Sequence, residues 1–224
     1  MIAVVVAFPS HHSFIDQLKN QYETNVFGVY ATIKAFLPYL RRNKAGTIIN
    51  LSSSSAQFNF PFISGYGSTK WAVRGITESL GIELAPFHIH VKAIYPGLHA
   101  TDIFTKLDHG GDPEHPSYQA HKPFFRNFMS AQTIYDKGTV PDRAAREIWR
   151  AVDNRAKGKL HFITDGDAKF LAFTRKILSE RRFQNMQIGT IQKPAQQNQK
   201  GFITWLFGKH VKEVKTDIPG ALIR

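Results

Sequence analysis

Apolar positions along this chain alternate between two kinds of pattern. Residues 2–8, IAVVVAF, are a continuous apolar run rich in β-branched residues, which predicts a strand buried on both faces. Then the period changes. Ile15, Leu18, Tyr22, Val26, Val29, Ile33, Phe36 and Leu40 recur at steps of three and four, which predicts one long helix with a single apolar stripe over 14–40. RRNKAG closes it, with cations in the last turn and a glycine beyond. TIINLS (47–52) predicts a second strand, SSSAQFNFPFISG a loop, and the small residues after it a helix from Ser64 to Leu84. IHVKAIYPG (89–97) predicts a third strand, stopped by Pro-Gly.

The pattern weakens over 98–138, where Gly, Pro, His and Asp predict an irregular lobe. It returns as a helix over 141–154 with proline near its start, a strand over 159–164 and a basic helical stretch over 166–191. A polar linker, QKPAQQNQKG (192–201), precedes FITWLFGKHVKEVK, a short apolar patch beside lysines. The expected organisation is one domain over 1–191 and a tail over 192–224. Strands alternating with helices predict an α/β, Rossmann-like parallel sheet with helices on both faces. Ligands of such sheets bind beyond the carboxyl ends of the strands. The chemistry is therefore expected just after Ser52, near Tyr66 and just after Tyr95.

Composition narrows the function classes. The absence of cysteine in the 224 residues excludes disulfides and thiolate metal sites and fits a reducing, cytoplasmic setting. No apolar run approaches the ~18 residues of a membrane-spanning helix, and residues 2–8 read as a strand rather than a signal peptide. The net charge is +12, unevenly placed: residues 1–140 carry 12 Lys/Arg and 9 Asp/Glu, residues 141–224 carry 17 and 8. The basic C-terminal region could attract phosphates, nucleic acid or an anionic membrane. No nucleic-acid-binding motif accompanies it, so a solvated basic face is the plainer reading. FITWLFGKHVK could serve as an interfacial anchor or as a docking segment. His88, His90 and DHGGDPEH (108–115) gather potential ligands, but a metal site needs three or four that converge.

The most specific chemistry is a helix pair. Tyr66 and Lys70 stand four apart and so share one helix face. A free phenol, with a pKa of about 10, is too weak an acid for efficient proton transfer at neutral pH, and a nearby ammonium lowers it. Ser53 precedes Tyr66 by 13 residues at the end of a predicted strand, where its hydroxyl could bond the same substrate oxygen. Asn25 interrupts an apolar stripe, and a buried amide there needs partners.

On YETNVFG around Asn25, GTIINLSSSSA with Ser53, YGSTKWAVRGITESLGIELAPFHIHVKAIYPG with Tyr66 and Lys70, and PGLHAT after the third strand, the chain resembles the short-chain dehydrogenase/reductase family. The likeness is strongest over 14–104, weaker through KLHFITDG, and absent beyond about 195. It implies hydride transfer between a nicotinamide cofactor, NAD or NADP, and a small carbonyl or alcohol substrate. It further implies Tyr66 as general acid or base, Lys70 lowering its pKa and bonding the nicotinamide ribose, Ser53 orienting the substrate oxygen, and Asn25 anchoring a relay water. Pro96 and Gly97 would line the nicotinamide pocket, and the His99 backbone and Thr101 hydroxyl would meet the carboxamide and phosphates. His99 stands where the family usually has an apolar residue. The resemblance also implies subunit contacts through the helices at 14–40 and 66–84, hence a homo-oligomer.

The family's Gly-rich turn, of the form TGxxxGxG, does not occur in these 224 residues, and AFPSHHS stands where Asn-Asn-Ala-Gly is expected. Residues 2–8 therefore align with the family's fourth strand, and the first βαβαβ half is expected to be missing. Weak cofactor affinity, an open strand edge prone to pairing, and a non-catalytic remnant acting by association are the corresponding expectations.

Overall fold

The computed structural model describes residues 15–60, 63–101, 138–153 and 158–192. The expected strand at 2–8, most of the 98–138 lobe and the 193–224 tail lie outside the described residues.

The first helical region runs from Ile15 to Asn43 but in three pieces: α1 (Ile15–Tyr22), a π-helical turn (Glu23–Phe27) and α2 (Gly28–Asn43). In the π turn the Gly28 amide donates to the Glu23 carbonyl, five residues back. That extra residue shifts the buried face, so the single stripe does not hold. Val26 and Ile33 are buried and Val29, Leu37 and Leu40 pack beside them, while Ile15 and Phe36 are exposed. Gln21 and Asn25 occupy the buried face instead.

Lys44, in the left-handed region at φ 48°, closes α2 and donates its amide to the Arg41 carbonyl at 3.2 Å. The glycine acts at the start of the next strand. A Cβ on Gly46, at φ 158°, would lie 2.6 Å from Leu40 Cδ2, so a side chain at the start of β1 would force Leu40 to shift.

Three parallel strands follow in the order β1 (Gly46–Leu51), β2 (Ile89–Tyr95) and β3 (His161–Ile163). Gly46 pairs with Ile89 through to Leu51 with Ile94, and Ala93 to Tyr95 pair with His161 to Ile163. Between β1 and β2 runs α3 (Ser64–Glu83). Helix α4 (Pro141–Val152) precedes β3. Ile33, Leu80, Leu84, Ile89 and Val91 form one cluster that ties α2 and α3 to the strands, and Ile94, Ala151 and Phe162 form another that ties on α4. Both faces of the sheet are thus covered, as the alternation predicts.

The helical 166–191 stretch comprises two helices, α5 (Gly166–Ile177) and α6 (Glu180–Gln192). Leu178 is extended, and it packs with Phe58, Leu171, Phe183 and Met186. Burying that group requires the chain to turn, and a continuous helix could not bring Phe183 back against Phe58.

Candidate functional site

The carboxyl end of β1 leads into Ser52 and Ser53. The Ser52 amide donates to the Ile94 carbonyl at 2.9 Å and the Ser54 amide to the Pro96 carbonyl at 2.8 Å, so the post-β1 loop is stitched to the Pro96-Gly97 loop after β2. Ser53 is extended and its hydroxyl accepts from the Ser55 amide at 3.1 Å, which starts a short 3-10 turn, Ser54–Ala56.

Helix α3 approaches that loop closely because its first turns are small. A Cβ on Gly67 would lie 2.7 Å from Asn59 Oδ1, the same oxygen that accepts from Trp71 Nε1 at 3.1 Å. The Ser52 hydroxyl donates to the Lys70 carbonyl at 2.9 Å and Asn50 Nδ2 to Thr77 Oγ1 at 2.9 Å, which fixes α3 along β1. Ser53, Tyr66 and Lys70 are thereby brought together.

Tyr66 hydrogen-bonds Ser53. Lys70, 4% exposed, donates to the Leu51 carbonyl at 3.3 Å, with its Nζ 5.6 Å from the Tyr66 ring centroid. Burial lowers the Lys70 ammonium to about 8. Burial also pushes the Tyr66 phenol up, and the Ser53 hydrogen bond opposes that rise. The expected depression of the phenol is therefore not a property of the free site. Lys70 is itself desolvated and directs its proton to Leu51.

Asn25 is buried in the π turn and donates to Thr69 Oγ1 at 3.2 Å, and Thr69 Oγ1 in turn donates to the Tyr66 carbonyl at 2.7 Å. Asn25 is thus coupled to the Tyr66–Lys70 turn through Thr69, a residue the sequence reading passed over.

On the β2 side, the Gly97 amide donates to Asp165 Oδ2 at 2.9 Å, and a Cβ on Gly97 would lie 2.8 Å from that oxygen. Thr139 Oγ1 donates to Asp165 Oδ1 at 2.9 Å, and Thr164 Oγ1 also donates to this carboxylate. His99 bridges Thr139 through the backbone, with the Ala100 amide on the Thr139 carbonyl at 3.0 Å. Its ring is buried, with Nδ1 3.2 Å from the Gly97 carbonyl and Nε2 3.8 Å from Asp165 Oδ2. Pro96, Gly97 and His99 thus form one braced loop, and Thr101 stands partly buried at its end. Asp165 was missed, although an Asp-Gly pair between a strand and a helix was its signal. Among the described residues, no group of three His or acidic side chains could hold a metal; His88 and His90 are exposed, and 108–115 lies outside.

The residues present fit a nicotinamide riboside. Among the described residues Lys70 meets one acceptor, Leu51, which leaves two of its three N–H groups able to bond further acceptors such as hydroxyls. The neighbouring Pro96-Gly97 wall is held rigid.

Residues 4–111 match the short chain dehydrogenase family. An uncharacterised oxidoreductase of Schizosaccharomyces pombe is 37% identical over 162 residues, covering 72% of this chain and 67% of the relative. The uncharacterised oxidoreductase YusZ of Bacillus subtilis is 45% identical over 91 residues, covering 41% of this chain and 32% of YusZ. Among solved structures, a short chain dehydrogenase from Burkholderia cenocepacia in complex with NADP superposes with a TM-score of 0.63 at 19% identity, covering 86% of this chain and 69% of that one, a likeness of fold. The chain belongs to the short-chain dehydrogenase/reductase family of oxidoreductases. It spans about a third of the length of YusZ and two thirds of the yeast relative.

Proposed function

We propose that this chain carries the reacting half of an enzyme that interconverts a small carbonyl compound and its alcohol with NAD or NADP. The observation that carries the reading is the convergence of Ser53, Tyr66 and Lys70 at the carboxyl end of β1. The cofactor would supply or accept the hydride. Ser53 and Tyr66 would share the substrate oxygen, one orienting it and the other moving a proton to or from it. The buried Lys70 would hold the ribose hydroxyls and, charged, favour the phenolate form of Tyr66 when Tyr66 gives up its proton. Asn25 would steady this turn through Thr69. Asp165 would keep the Pro96-Gly97 wall at a fixed distance from the reacting carbon.

Labelled hydride tests this reading. The chain is incubated with deuterated NADH or NADPH and a panel of ketones and aldehydes, and the alcohols are analysed by mass spectrometry. Deuterium at the carbinol carbon, with none when Ser53 and Tyr66 are replaced by alanine and phenylalanine respectively, supports it. Equal incorporation by that double variant would overturn it.

A further inference from the structure

At the carboxyl end of β3, away from the Ser53–Tyr66 site, a cavity of about 370 Å³ lies between α4 and the first turn of α5. Arg143, Arg146, Arg150, Lys169, Thr164 and Gly166 line it together with Glu147. Arg143, Arg146, Glu147 and Arg150 fall at i, i+3, i+4 and i+7, so one face of α4 presents them all. Glu147 is taken by Arg150 at 2.6 Å, and Arg143 lies 4.0 Å from the buried Asp165. Among the described residues no carboxylate pairs with Arg146 or Lys169. Among the described residues the lining carries four cations and one carboxylate, Glu147.

The opposite wall adds donors. Asp165 stands at the N-cap of α5 but does not cap it, because its carboxylate is turned to Gly97 and Thr139. The first-turn amides of α5 are left without that partner at a positive helix end. Two cations beside an uncapped helix start match a dianionic phosphate. The cavity is larger than a phosphate alone and has room for the group that bears it.

We propose that this groove binds a phosphate-bearing ligand, a phosphomonoester held by Arg146, Lys169 and the start of α5. Between β1 and β3 lies one strand, so the groove stands roughly 10 Å along the sheet from the carbonyl site. It is not the place of a substrate oxygen. The phosphate could belong to a soluble metabolite or to a lipid headgroup, and the chemistry is shared.

Two probes separate the sources. Glycerol 3-phosphate is titrated by calorimetry, and phosphatidylcholine vesicles with and without phosphatidic acid are tested by co-sedimentation. Each is run on the wild type, on Arg146→Ala/Lys169→Ala, and on Lys176→Ala, an exposed cation of α5 outside the groove. Thermal melts check that all three are folded. Saturable binding of either probe that weakens at least about tenfold in the double variant and is unchanged in Lys176→Ala supports the site. Binding of glycerol 3-phosphate assigns a soluble ligand, and binding to phosphatidic acid vesicles alone assigns a headgroup. Saturation with neither probe, or equal losses in both variants, overturns the proposal.

Discussion

Replacing Lys70 by methionine gives a signature that the buried ammonium alone should produce. Lys70 is 4% exposed, and its ammonium is lowered from 10.5 to about 8 by burial. The sign follows from proton counts. Between about 8 and 10.5 the unfolded chain keeps the lysine proton that the folded chain has released. Stability therefore rises with pH across that window. A shift of this size corresponds to about 3 kcal/mol, of which roughly 2–3 kcal/mol should appear between pH 7 and pH 10. Methionine keeps the stem length and apolar packing and cannot titrate. Urea denaturation of both proteins at half-unit intervals of pH measures the difference. The wild type should gain on Lys70→Met steadily above pH 8. A difference that is flat with pH would show that Lys70 is solvated, and would undo the description of the site as a dry pocket around a charged lysine.

Asp165→Asn should cost about 1–3 kcal/mol by urea denaturation, because the amide turns a donor toward the Gly97, Thr139 or Thr164 donors; an unchanged midpoint would mean the loop is braced elsewhere. His161 bonds the Tyr95 hydroxyl at 2.7 Å and is lowered chiefly by burial, so its contribution is present above its ordinary 6.5 and is lost as pH falls through the lower folded value. His161→Gln should therefore flatten the acid side of the stability curve, and an unaltered curve would refute that assignment. Phe36 and Tyr39, three apart on α2, are exposed side by side, and we expect a homo-oligomer through that face; Phe36→Glu should weaken association at least about tenfold in sedimentation, and a monomeric wild type would remove the idea. With no Gly-rich turn in its sequence, the 224-residue chain should bind NAD(H) and NADP(H) more weakly than micromolar by calorimetry, and micromolar affinity would contradict that.

Much of this architecture follows from local pattern. β1 and β2 fall where TIINLS and IHVKAIYPG predict strands, and α3 and α4 begin and end within two residues of their expected bounds. Ser53, Tyr66 and Lys70 could be placed together because two of them share a helix face and the third ends a strand. What escaped depends on tertiary contact. The π turn at Glu23–Phe27 carries no local signal, since an apolar stripe tolerates one extra residue without losing its look. The break between α5 and α6 is set by the packing of Leu178 and Phe183 on Phe58, more than a hundred residues earlier in the chain. Asp165 and Thr69 act through partners on other elements, so neither stands out in its own segment. The direction of the Tyr66 shift depends on how dry the pocket is, and spacing does not encode that.

The central claim is that Tyr66 moves the proton to or from the substrate oxygen. Tyr66→Phe keeps the ring, its packing beside Lys70 and the fold, and removes only the hydroxyl bonded to Ser53. Single-turnover oxidation of NADH or NADPH by saturating carbonyl substrate, followed by cofactor absorbance for both proteins, reads the step directly. A proton-transfer role for Tyr66 predicts a loss of at least about a hundredfold in the rate for Tyr66→Phe, with the thermal melt unchanged. A rate within a few-fold of the wild type would contradict it.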